Sequence, residues 1–174
     1  AAPIYAKADV MQFMPTMSAV GITWRNPGNF FRIAETDEQS TQALSAHLAG
    51  EYRGKKVAIV YTDTFYMRPL IEMLRAALTP GIPISARFEP LLDVPGATER
   101  LANKLQRDPP DLIYMALDPD LIMQLVPSLR NVGLKANLMG GQRLLTYRLW
   151  KSATMDGVQI IAPLSSLDDP EYRK

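Results

Sequence analysis

The chain has 174 residues, 47% hydrophobic and 21% charged, which suits one ordinary domain or one large lobe with a sizeable core. Nineteen basic against eighteen acidic residues give a net charge of +1 with no block of like charge, which argues against binding to nucleic acid or anionic membrane. Cysteine is absent, so thiol catalysis, cysteine zinc sites and disulfides are excluded, and no apolar run approaches the roughly 20 residues of a membrane span.

The first residues, AAPIYAKADV, show no charged region followed by an apolar one, so either the protein is not secreted or the chain starts after its signal. "PIYAKAD" reads as a helix end, as if cut from something longer. Residues 10–14 read as a strand that Pro15 breaks into a loop carrying Thr16, Ser18 and Thr23. Met11, Met14 and Met17 would suit Cu(I) as soft ligands. Strand alternation turns Met11 away from the other two, which leaves the methionines as adaptable packing.

"FFRIAE" at 30–35 reads as a second strand. Thr36 and Gln39 then form a capping box for a helix with Ala43, Leu44, His47 and Leu48 on one face. His47 lies mid-helix among those leucines and reads as a packed histidine, not a general base. "KKVAIVY" is a continuous buried strand, and a helix over 66–78 turns Leu70, Ile71, Leu74 and Leu78 inward, with Pro69 tolerated in its first turn. A strand at 84–88, a helix over 98–106 and the buried strand "DLIYMAL" follow. Asp118-Pro119 supplies an N-cap and first helical position, and Gly133 a C-terminal stop. A strand at 137–139, Gly140-Gly141, a short helix over 146–151 and the strand "GVQIIAP" complete the order.

Strand and helix thus alternate at least five times with short connections, which predicts a doubly wound, mostly parallel α/β sheet with helices on both faces. Ligands of such sheets sit beyond the carboxyl ends of the strands. The residues there are Thr16 and Ser18; Thr62, Asp63, Thr64, Phe65 and Tyr66; Leu117 and Asp118; and Gly140 to Arg143. Polar and aromatic side chains with glycines for close backbone approach suit a small-molecule site. The phosphate-cradling glycine motifs and the G-x-S-x-G nucleophile elbow are missing. "SLDDPE" lacks calcium-loop spacing and reads as a solvated loop. Nothing implies a cofactor or resident metal, and the chain resembles no enzyme.

Several stretches carry a resemblance. "FMPTMSAVGIT" is similar to a strand-end loop close to I-S-P-S-A-T-N-P-x-L-T. "NFFRIAETDEQSTQALSAHLAGEYRGKKVAIVYTDTFY" resembles a hinge crossing followed by a helix and a strand that ends before a pocket tyrosine. "PPDLIYMALDPDLIMQLVPSLRNVGLKANLMGGQ" resembles a strand–helix–"GLK"–strand–"GGD/GPE" block, and "MDGVQIIAP" a strand returning to the hinge. In order and spacing these resemble type I periplasmic solute-binding proteins, of the branched-chain amino-acid (leucine/isoleucine/valine) type that serves ABC importers.

The resemblance implies one lobe of a two-lobed fold about twice this length. Residues 1–28 would be the tail of lobe one and the hinge approach, 29–165 the second lobe, and 166–174 the return hinge. It implies a periplasmic location, importer membrane subunits as partners, and a carboxylate held by Thr16, Met17 and Ser18. Tyr66 matches a pocket tyrosine, Asp118 falls near a contact position, and Gln142 stands where the family places an acid for the ligand's α-ammonium. Gln cannot supply that charge, so either Asp118 or Asp63 takes the role or the ligand is a carboxylate without an amine. The same fold also serves as the ligand-sensing domain of receptors and regulators, which is the alternative reading. Two structural expectations follow: Pro127 should disturb its helix, and the strand at 10–14, an apolar edge without its lobe-one neighbours, should pack against another chain, by self-association, or an unusual part of lobe two.

Overall fold

A computed structural model of the chain describes residues 2–15, 17–19, 21, 28–78, 84–145, 149 and 151–162. Its elements are, in order, α1 (Ala2–Lys7), β1 (Gln12–Met14), β2 (Phe30–Arg32), α2 (Asp37–Glu51), β3 (Lys56–Tyr61), α3 (Met67–Leu78), β4 (Ser85–Pro90), α4 (Ala97–Arg107), β5 (Leu112–Ala116), α5 (Pro119–Asn131), β6 (Asn137–Gly140) and β7 (Val158–Ile160). Short 3₁₀ turns at Gln142–Leu144 and Ala153–Met155 join the last two strands. Thr16 and most of the short helix expected over 146–151 lie outside the described residues.

Five strands form one parallel sheet in the order β4-β3-β5-β6-β7. The register pairs Val57 with Ala86 and Leu112, and Leu112 with Asn137. Along β3, Ala58 and Val60 pack with α4 and α5, whereas Val57 and Ile59 pack with α2 and α3. Both faces are therefore covered, which is why the strand reads as an unbroken apolar run.

Helix ends follow their local chemistry. Both arms of the Thr36–Gln39 capping box form, at 3.1 and 2.8 Å. After α5, Gly133 takes φ +73, a left-handed turn that suits a residue without Cβ. Helix α5 continues through Pro127, so the expected disturbance reduces to the bond that proline cannot donate to the Met123 carbonyl. His47 packs edge-on to Tyr52, with ring centroids 6.2 Å apart.

The strand at 10–14 is not left unpaired, and of the two expected outcomes it is packing within the chain that is found. Strand β1 pairs in parallel with β2, Gln12 opposite Phe30 and Met14 opposite Arg32. Pairing of that kind joins positions distant in sequence, so local pattern could not reveal it. Its apolar side chains nonetheless stay open, Met11 70% and Phe13 55% exposed.

Candidate ligand-binding site

In the five-stranded sheet β4 lies on one side of β3 and β5 on the other. The winding therefore reverses between β3 and β5, and the crevice outside the strand ends at such a reversal is the natural ligand position. A cavity of about 390 Å³ opens there. Tyr114 to Leu117 of β5 and the following loop form its floor, and Leu44, Leu70, Ile71 and Leu74 of α2 and α3 line its depth. Ser18, Glu35, Asp37, Tyr66, Gln142 and Arg143 bring polar groups to it. An apolar interior with a few polar groups suits an organic molecule with one charged end.

Residues 17–19 are tied to this site. The Ser18 carbonyl accepts from the Asp37 amide at 2.9 Å, and Arg32 donates to the Ala19 carbonyl at 2.9 Å. Ser18 is buried, and its hydroxyl lies 3.4 Å from that of Tyr66. Met17 is half-buried beside it. These contacts bring Ser18 and the five-stranded unit to one cavity.

Two ion pairs flank it. Arg143 reaches Asp118 at 2.7 Å, both side chains about half-exposed (50% and 53%). A pair so open contributes only ~0–1 kcal/mol, so it positions the guanidinium more than it stabilises the fold. Arg143 also lies 6.0 Å from the centre of the Tyr66 ring, at the edge of cation–π range. Asp118 occupies the N-cap of α5 but makes no side-chain cap bond; its carboxylate serves Arg143 instead. Arg68 grips Asp63 with two bonds of 2.6 and 3.2 Å. That hydrogen bonding, foremost, holds the Asp63 carboxyl below its ordinary range. Asp63 and Asp118 stand beside the cavity lining rather than in it. Gln142 does line it, exposed at the start of its 3₁₀ turn.

Comparison with known proteins gives the family. The family model described as "Periplasmic binding protein" matches residues 1–174. The chain belongs to the periplasmic binding protein family. It is 21% identical over 150 residues to the Leu/Ile/Val-binding protein homolog 3 of Brucella melitensis, covering 84% of this chain and 40% of that protein. Among solved structures, an ABC transporter substrate-binding protein from Desulfitobacterium hafniense in complex with Leu aligns with a TM-score of 0.69 at 24% identity, over 91% of this chain and 46% of that one. A solute-binding protein of an ABC transporter from R. palustris, in complex with benzoate, aligns with a TM-score of 0.73 at 17% identity, over 99% and 48%. The chain thus spans less than half the length of these relatives.

Within this binding-protein lobe, sequence reasoning did not single out Tyr114, Glu35, Asp37 or Arg143 as site residues. Tyr114 sits inside the apolar strand "DLIYMAL", where a polar tip among aliphatics was the available signal. Arg143 stood in the strand-end loop without an assigned role, and its proximity to Asp118 depends on the turn at Gly140-Gly141. Glu35 and Asp37 flank the cap residue Thr36, and only the packing of α2 brings them to the cavity. Among the described residues no group of three metal-binding side chains occurs, and no helix is long and apolar enough to cross a membrane.

Proposed function

We propose that this chain supplies the second lobe, residues 29–165, and the adjoining tail of the first, residues 1–28, of an extracytoplasmic receptor for an ABC importer, with 166–174 as the return hinge. It captures a small carboxylate or amino acid in the cleft between lobes. The observation that carries this reading is the cavity at the sheet's winding reversal, where Ser18, before the hinge, meets Tyr66 and Arg143, beyond it. Family relatives with bound leucine and benzoate support a ligand of that size and charge.

In this reading Ser18, with Thr16 and Met17, offers hydroxyl and backbone donors to a carboxylate, and closure excludes water so that such bonds gain strength. Tyr66 covers the ligand. Both candidate ammonium partners of the second lobe, Asp118 and Asp63, are engaged by arginines, and Gln142 carries no charge. An α-ammonium would therefore fall to Glu35 or Asp37, for which no ion pair occurs among the described residues and of which Glu35 accepts only from Ser40, at 3.3 Å. Acids without an amine are expected to bind at least as well as leucine. A thermal-shift screen of the two-lobed protein tests this, because a ligand that binds only the folded state raises the melting temperature. Leucine, valine, 4-methylpentanoate and benzoate form the panel. Stabilisation by the amino acids alone would reverse the ligand assignment and direct attention to Glu35 and Asp37.

A further inference from the structure

Tyr114 is the one polar side chain inside the apolar run of β5, and its hydroxyl has no hydrogen-bond partner among the described residues. A donor left idle in an apolar interior is costly, so buried hydroxyls are nearly always paired. The hydroxyl is nevertheless not sealed. It is absent from the enclosed, unpaired polar atoms of the described residues, which are Gln12 Nε2, Asn29 Oδ1, Thr41 Oγ1 and Thr62 Oγ1. Tyr114 keeps part of its surface, and it lines the cavity.

The neighbouring backbone is shaped around this group. A Cβ on Gly141 would stand 3.1 Å from the Tyr114 hydroxyl oxygen. Gly141 itself has φ −86 and ψ −172, extended backbone that any residue adopts. Its lack of a side chain is therefore needed for space beside the hydroxyl and not for conformation. On the same side of the cavity stand Arg143 and the amide of Gln142. The Arg143 guanidinium spends its contacts on one Asp118 oxygen and on the weak acceptor Met67 Sδ at 3.9 Å, which leaves N–H groups to spare. Burial pushes the phenol up to about 12, so it stays protonated and able to donate.

We infer that Tyr114 is a ligand-contacting, specificity-determining residue whose hydroxyl donates to an oxygen of the solute, so that the Gly140–Gly141 side of the cleft reads a carboxylate or carbonyl and not an ammonium. This rests on the receptor function proposed above, and it deepens that proposal by giving the ligand a direction. The carboxylate that Ser18, with Thr16 and Met17, meets from one side meets the Tyr114 hydroxyl from the other.

Calorimetric titration of the two-lobed protein with 4-methylpentanoate, benzoate and leucine tests this in three versions: wild type, Tyr114→Phe and Gly141→Ala. Tyr114→Phe deletes only the donor, and Gly141→Ala crowds it from the other side, so neither result depends on the other. The expected result is a loss of about 10-fold in affinity for each bound acid in Tyr114→Phe, in line with one hydrogen bond to a charged acceptor. A comparable or larger loss is expected in Gly141→Ala, with the ligand-free melting temperature of Tyr114→Phe unchanged. Affinities within twofold of wild type in both variants overturn the inference while leaving the receptor function standing. A wild type that binds none of the three overturns the receptor function and the inference with it.

Discussion

Two regions of this chain use the same kinds of apolar residue to opposite ends. In the five-stranded unit Val57, Ile59, Leu48 and Leu105 have no exposed surface. Near the start of the chain Ile4, Met11 and Phe13 are 71%, 70% and 55% exposed, although β1 is hydrogen-bonded to β2. Backbone pairing alone therefore does not bury side chains. The five-stranded sheet has a helical layer on each face, whereas in β1 and β2 Phe30 is buried but Phe13 and Phe31 stay open. Covering layers convert an apolar pattern into stability at ~1.5–3 kcal/mol for each large side chain removed from water. The first residues bring Ser18 to the cavity and leave the apolar side chains of β1 open.

This contrast can be broken most directly by truncation in each region. Ile59→Ala should cost ~2–5 kcal/mol because the rigid layers around it cannot collapse into the void. Phe13→Ala should change stability by no more than about 0.5 kcal/mol, as exposed substitutions do. Urea denaturation of both variants measures the difference, and equal losses would show that the two-stranded segment is covered after all.

A second test uses pH. The folded chain keeps the Tyr114 proton up to about 12, whereas an unfolded tyrosine loses it near 10. A raised folded value means full stability below pH 10 and progressive loss as pH rises from 10 through 12. The difference between wild type and Tyr114→Phe over that window should reach up to roughly 2–3 kcal/mol, at ~1.4 kcal/mol per pH unit. Parallel alkaline unfolding curves for the two proteins would mean that water reaches the phenol freely through the cavity.

The next effect concerns packing under the Gly-Gly turn. A Cβ on Gly140 would meet Leu144 Cδ1 within van der Waals distance, and Leu144 is itself buried. Gly140→Ala should cost about 1–3 kcal/mol, the usual range for overpacking. Smallest, Thr36→Ala removes one arm of the capping box of α2 and should cost ~1 kcal/mol. Thermal unfolding measured by circular dichroism ranks both.

Much of the covered unit was legible in the sequence because its determinants are local. Burial on both faces makes β3 and β5 continuous apolar runs, and Thr36, Gln39 and Gly133 punctuate helices through bonds spanning three or four residues. Alternating elements also put a ligand beyond the carboxyl ends of the strands, so Ser18, Tyr66 and Gln142 could be marked as strand-end residues, whereas the strand order that sets the reversal of winding could not be read. What stayed hidden depends on tertiary juxtaposition. The Asp118 carboxylate looked like a helix cap until Arg143 stood 2.7 Å away. The pairing of β1 with β2 crosses a loop of more than a dozen residues, which no periodicity encodes. Tyr114 could be read as a strand residue but not as one whose hydroxyl faces a void, since that depends on what the opposing helices leave unfilled.

The central claim is that the solute is held jointly by the loop before the hinge, the second lobe and the remainder of the first. The most direct measurement is a calorimetric titration of one carboxylate, benzoate or 4-methylpentanoate, into this 174-residue chain and into protein carrying both lobes. Half of the donors and the closure that excludes water belong to the two-lobed form, so affinity in the shorter chain should fall by a factor on the order of 100 or more, as two lost charge-assisted hydrogen bonds imply. Equal affinity in the two would contradict the account and move the site out of the inter-lobe cleft, into the second lobe alone.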